Sequence, residues 1–149
     1  MSAGILALNF AAIHTTSFTQ SHLIFDLLSG PNAARHVEVL RAEAESALAA
    51  SDGVWTKKSL PELHLLDSAI RESARLNSFN SPGVARIGVA PDDVTTTRGV
   101  HCPKGSAIGI PAHGIHHDPD LYPDPEEHKP FRVTKWAAAT TPPCRQKTP

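Results

Sequence analysis

Apolar residues run nearly all round the first stretch of the chain, at Ile5, Leu8, Ile13, Phe18, Leu23, Ile24, Leu27 and Leu28. This pattern predicts a helix from about Gly4 to Leu28, and a helix apolar on every side expects to be enclosed by neighbours. Ser29-Gly30-Pro31 ends it, with glycine as a C-cap candidate and proline as a first-turn residue of the next helix. That second helix is predicted over Pro31 to Ala49. There Val37, Leu40, Ala44 and Leu48 form a stripe at steps of three and four, and Arg35, Glu38, Arg41, Glu43 and Glu45 lie outside it. Ser51-Asp52-Gly53 breaks that pattern. A third helix is expected to open at Ser59, with Pro61 near its first turn and Glu62 placed as in a capping box. Its apolar face would carry Leu63, Leu66, Ala69, Ile70 and Leu76, and Asn80-Ser81-Pro82-Gly83 stops it.

Beyond Pro82 the periodicity shortens. Val84 to Val89 reads as a strand, Val94 to Thr97 and Val100-His101 as a hairpin about Arg98-Gly99, and Ala107 to Ile110 as another strand. Nine of the thirteen prolines fall from Pro103 onward, which argues against long regular elements there. The stretch from residue 134 to 149 has no apolar period and is expected to be a disordered tail. The fold class is therefore mainly α with a small antiparallel β-sheet: three helices, short strands, then coil.

Composition narrows the function classes. The chain has 149 residues, 40% of them hydrophobic, and a formal net charge of -1, as expected for a soluble globular piece. With no basic stripe there is no electrostatic case for nucleic acid. Two cysteines, Cys102 and Cys144, without paired spacing argue against a disulfide framework and a structural zinc site, and suggest a reducing compartment. The apolar start lacks a basic n-region and is interrupted by His14, so it reads neither as a signal peptide nor as a membrane span.

Three clusters offer chemistry. Glu72 and Arg75, three residues apart, stand on one helix face and can bridge, although such a pair on a solvated helix contributes little. Phe10-Ala11-Ala12-Ile13-His14-Thr15-Thr16-Ser17 combines small residues with hydroxyls. On a buried helix those hydroxyls would simply bond back to the preceding turn. His113, His116 and His117 with Asp118 have the spacing of a transition-metal site, yet no distant ligand pair closes the shell, and such residues among prolines are common in turns.

In their order along the chain, the Ala11–Thr16 segment, the Glu72/Arg75 pair and the run from Pro111-Ala-His-Gly-Ile-His-His-Asp-Pro to Tyr122-Pro-Asp-Pro and Lys129-Pro-Phe-Arg132 resemble the cytochrome P-450 family, the haem-thiolate monooxygenases. The resemblance runs from about Leu6 to Val133. It implies a partial domain over 1–133 and a non-homologous tail over 134–149, a C-terminal-half fragment truncated at both ends that starts after any membrane anchor. By resemblance the first helix is the oxygen-binding helix. Thr15 would be the relay alcohol, His14 stands where the family usually has an acid, and Ala11 and Ala12 would leave room for oxygen beside the haem. Glu72, Arg75 and Arg132 would form one structural network under the haem, and Arg86 would reach a haem propionate; as plain residues, the first two are a surface pair and Arg86 a strand-edge arginine in water.

The Ala-Ala-Ile-His-Thr-Thr variant is similar to filamentous-fungal members of secondary metabolism. For the intact relative the resemblance implies a haem cofactor, a small organic substrate, NADPH electrons from a reductase, and anchoring at the endoplasmic reticulum. This chain itself would be soluble or cytoplasmic. One element of the pattern is missing: the family's axial thiolate lies in Phe-x-x-Gly-x-x-x-Cys-x-Gly. Neither Cys102 nor Cys144 stands in such a string. A frameshift, retained intron or mis-predicted gene would account for the break. A catalytically inactive remnant and, more distantly, a small His-rich metal-binding module are the alternatives.

Overall fold

The computed structural model describes residues 2–79, 82–89 and 92–134, with side chains from Gly4 onward. The element order is α1 (Ser2–Leu28), α2 (Ala33–Ala49), a 3₁₀ turn (Leu60–Glu62), α3 (His64–Leu76), β1 (Pro82–Ile87), β2 (Val94–Thr95), β3 (His101–Cys102), β4 (Ala107–Pro111) and α4 (Ala112–His116). The chain divides into two compact units, residues 1–77 with 126–149, and residues 78–125. The tail expected from residue 134 lies, but for Thr134, outside the described residues.

In the first unit, α1 is a continuous helix of 27 residues, about 40 Å long at 1.5 Å per residue. Residues 4–17 are exposed on all sides, and the helix gains cover only from Phe18 onward, reaching full burial at Leu27. Near its C-terminal end it is tied to α3: Asp26 Oδ2 accepts hydrogen bonds from Ser73 Oγ at 2.6 Å and Asn77 Nδ2 at 2.9 Å. The second helix starts at Ala33, two residues later than its proline suggests, with Asn32 as N-cap residue.

The expected capping box at Ser59 does not form. Ser59 Oγ is engaged in the preceding turn, accepting from the Thr56 N–H at 2.8 Å and donating to the Thr56 carbonyl at 3.1 Å. The chain therefore makes only a 3₁₀ turn there, and α3 begins at His64. Its open N-terminus is capped from another element. Glu43 of α2 accepts the Leu65 N–H at 2.7 Å and the Leu66 N–H at 3.0 Å, one on each carboxylate oxygen. A carboxylate satisfies the orphan donors of a first turn and suits the positive end of the helix.

The centre of this unit is polar. Leu27, Ala47, Ala69 and Pro130 are its buried apolar residues among those described, whereas Ser59, Ser68, Glu72, Ser73, Arg75 and Arg132 are all buried. Small residues at Ser68, Ala69 and Ser73 let the segment 126–134 lie close along α3, where the Val133 N–H donates to Ser68 Oγ at 3.1 Å.

The second unit is built from two antiparallel two-stranded sheets. β1 pairs with β4 through Pro82–Pro111, Gly83–Ile110, Arg86–Ile108 and Ile87–Ala107, with a bulge between Gly83 and Arg86. β2 pairs with β3 through Val94–Cys102 and Thr95–His101. The turn is closed by the Thr96 N–H to the Val100 carbonyl at 2.9 Å, and Gly99 supplies the positive φ of +81° that it requires. A single short helix, α4, comes after β4, in a stretch whose prolines gave no sign of it.

Candidate functional site

α3 places Glu72 and Arg75 on its buried face, one turn apart, and the segment 126–134 delivers Arg132 to the same point. Glu72 Oε2 accepts from Arg75 Nε at 2.9 Å, and Oε1 accepts from Arg75 Nη2 at 3.0 Å, a two-pronged pairing of guanidinium and carboxylate. Oε1 also accepts from Arg132 Nε at 2.9 Å and from the Lys129 N–H at 3.1 Å. Arg132 in turn donates through Nη2 to the Glu127 carbonyl at 3.0 Å. Relative exposures of 0% for Glu72, 5% for Arg75 and 6% for Arg132 make this an interior ionic cluster rather than a surface pair. Burial pushes the Glu72 carboxyl up, but hydrogen bonds from Arg75, the Lys129 backbone and Arg132, with the Arg75 charge, outweigh it and hold the group below its ordinary value. The carboxylate is therefore charged and fully engaged. It joins α3 to the segment 126–134.

The other candidate residues lie elsewhere. Ala11, Ala12, His14 and Thr15 are all exposed on α1. Thr15 Oγ1 donates to the Ala11 carbonyl one turn back, and the His14 ring packs tilted against Phe10, centroids 4.6 Å apart. Beside them Thr15, Thr16, Thr19 and Gln20 line an open hollow of about 270 Å³. A larger hollow of about 510 Å³, at the end of α2 around Ser46, Thr56, Lys58 and Ser59, is lined by none of the candidate site residues. Arg86 is exposed on β1 in the second unit, with Nη1 donating to the Ala85 carbonyl at 3.0 Å.

The histidine run forms no metal centre. His113 and His117 pack with tilted rings, centroids 4.1 Å apart, and His116 meets Tyr122 edge-on at 6.4 Å. No three His, Cys, Asp or Glu side chains converge as a metal site among the described residues. Cys102 is buried in β3 with its thiol toward the Val100 carbonyl at 3.7 Å, and Cys144 lies outside the described residues.

Sequence reasoning does not find Glu43 or Asp26 as members of this framework: Glu43 lies outside the apolar stripe of α2, and nothing within one turn of either residue signals its partner.

The family profile described as Cytochrome P450 matches residues 1–144. The chain belongs to the cytochrome P450 family. Cytochrome P450 monooxygenase gloP of Glarea lozoyensis is 39% identical over 138 residues, covering 88% of this chain and 25% of that protein. Cytochrome P450 monooxygenase htyF of Aspergillus rugulosus is 40% identical over 132 residues, 86% of this chain and 19% of that one. Among solved structures, a retinoic acid-bound cyanobacterial CYP120A1 superposes with TM-score 0.64 at 30% identity, and a zebrafish cytochrome P450 with abiraterone with TM-score 0.69 at 28% identity. These superpositions cover 94% and 87% of this chain, and each covers 30% of the larger one. This P450 chain thus spans a quarter or less of those two curated relatives.

Membership makes haem the family's cofactor. The described residues fit it only in part. They provide the buried Glu72–Arg75–Arg132 clamp and a hydroxyl-bearing helix, but no thiolate: the described cysteine donates its thiol to a backbone carbonyl inside a hairpin. The iron ligand is not among them. Among the described residues no helix is long and apolar enough to cross a membrane.

Proposed function

We propose that this chain supplies the oxygen-helix and clamp portion of a P450 monooxygenase that, complete, inserts one oxygen atom into a small organic substrate. NADPH electrons would reach it through a reductase. The observation that supports this most is the buried Glu72 carboxylate. It is held by Arg75 on its own helix and by the Lys129 N–H and Arg132, brought from 57 and 60 residues away. In the complete protein Thr15 and His14 would stand on the path that delivers protons, Ala11 and Ala12 would leave space for oxygen, and Arg86 would face a haem propionate. Haem supplies the oxygen activation when bound through a thiolate from outside the matched strings. The fungal origin of the relatives supports a role in secondary metabolite biosynthesis. The complete protein would work at the endoplasmic reticulum membrane. The P450 portion would be residues 1–144, the span that the family profile matches.

A second reading, a non-catalytic remnant, is favoured by the exposed apolar residues of α1. One measurement separates the two. The chain is expressed alone and joined to its flanking coding sequence, each supplied with haem, and the reduced carbonyl-bound spectrum is recorded. The thiolate-ligated band is expected in the extended protein only. Its absence there would establish the remnant.

A further inference from the structure

Residues 126–134 lie along α3 and contribute Arg132 and two backbone donors, the N–H groups of Lys129 and Val133, to it. In the middle of this segment sits His128. Its Nε2 is shielded from solvent and has no hydrogen-bond partner, an arrangement proteins rarely leave uncompensated. Elements on three sides present charged or titratable groups to it: Asp26 from α1, His36 from α2, and Glu72 and Arg75 from α3. On its own segment Glu127 pairs with Lys129 at 3.1 Å, and Arg132 is held by Glu72. The nearby carboxylates are already engaged, Asp26 by Ser73 and Asn77 and Glu72 by its four donors. His36 is itself packed edge-on against Phe131 at 5.7 Å.

We propose that His128 is a pH-sensitive latch, whose neutral ring lets residues 126–134 lie on α3 and whose protonated ring drives that segment off. A second cation arriving beside Arg75 and His36 in a shielded site loses hydration and gains repulsion. Burial holds the His128 ring below the ordinary histidine value; attraction from Asp26 and Glu72 opposes this, and repulsion from His36 and Arg75 adds to it. A released segment takes up its proton at about the ordinary histidine value of 6.5, before the docked one does. Docking is therefore full above that pH and is lost as pH falls through the lower folded value. The latch stands apart from the oxygenase reading, since it needs neither haem nor substrate.

The test is amide hydrogen exchange of the whole 149-residue chain at about pH 7.5 and pH 5.5, corrected for the intrinsic exchange rate. Lys129 and Val133 are expected to lose protection on acidification by up to roughly tenfold per pH unit, while the helical amide of Leu48 in α2 holds. His128→Phe and His128→Gln, neither of which can take up the proton, should show equal protection at both pH values. Undiminished protection in the native chain at low pH, or no protection at pH 7.5, would overturn the latch. So would the same acid loss in both His128 variants, or abolition of the loss by His36→Phe alone.

Discussion

Glu72 shows how one side chain can carry an interior that has few apolar residues. It satisfies two guanidinium groups and one backbone donor at 0% exposure, so truncating it leaves buried positive charge with nothing to balance it. Removing one partner from such a cluster costs about 3–5 kcal/mol. Glu72→Ala should therefore abolish a cooperative urea transition or lower its midpoint by that equivalent, while Glu72→Gln, which keeps shape and acceptor, loses less. An unchanged midpoint for Glu72→Ala would show that the clamp holds nothing together. The same residue sets an acid limb. Because its folded carboxyl sits below the ordinary value of 4.5, its stabilisation is complete above that pH and fades as pH falls through the lower folded value. Acid titration followed by circular dichroism should show this limb in the native chain and lack it in Glu72→Gln. At this scale the Glu72–Arg75 spacing is legible, since both residues lie within one turn. Nothing local points to the Lys129 N–H.

Between elements, the informative contact is Glu43 at the head of α3. Spacing to Glu62 suggests Ser59 as the cap, because it matches a local pattern. The Thr56 turn takes that hydroxyl instead, and a carboxylate from another helix does the capping. Glu43→Ala should cost about 1 kcal/mol, the ordinary value of an N-cap. The exposed Glu45 on the same helix is the control: Glu45→Ala should stay within about 0.5 kcal/mol. Equal losses for the two, read from chemical denaturation, would show that helix charge rather than the cap is responsible. The hairpin and β4 are legible from alternation and turn residues. The bulge in β1 is not, because register is decided by the partner strand.

For the molecule as a whole, the most consequential surface is that of α1. Ile5, Leu6, Leu8, Phe10 and Ile13 are each more than half exposed, on a helix stretch covered by nothing described in the first unit. Contiguous apolar surface of that kind marks an interaction or aggregation site. The 149-residue chain should enhance 8-anilinonaphthalene-1-sulfonate fluorescence and associate with rising concentration by light scattering. Leu6→Gln with Ile13→Gln should reduce both. A native chain that stays monomeric and leaves the dye dark would mean those residues are covered.

The order of the three long helices and the four strands, the apolar girdle of α1, the one-turn pairing of Glu72 with Arg75 and the family membership were all determined by the amino-acid sequence, because each is written within a few residues or as a linear string. Only the tertiary structure decided that Glu43 caps α3, that Asp26 ties α1 to it, that Arg132 and the Lys129 N–H close on Glu72, and that the Nε2 of half-buried His128 is shielded from solvent. The hydrogen bonds among these join positions 22 to 60 residues apart. A polar group's fate over such distances depends on which chain segment excludes water from it, and periodicity carries no record of that.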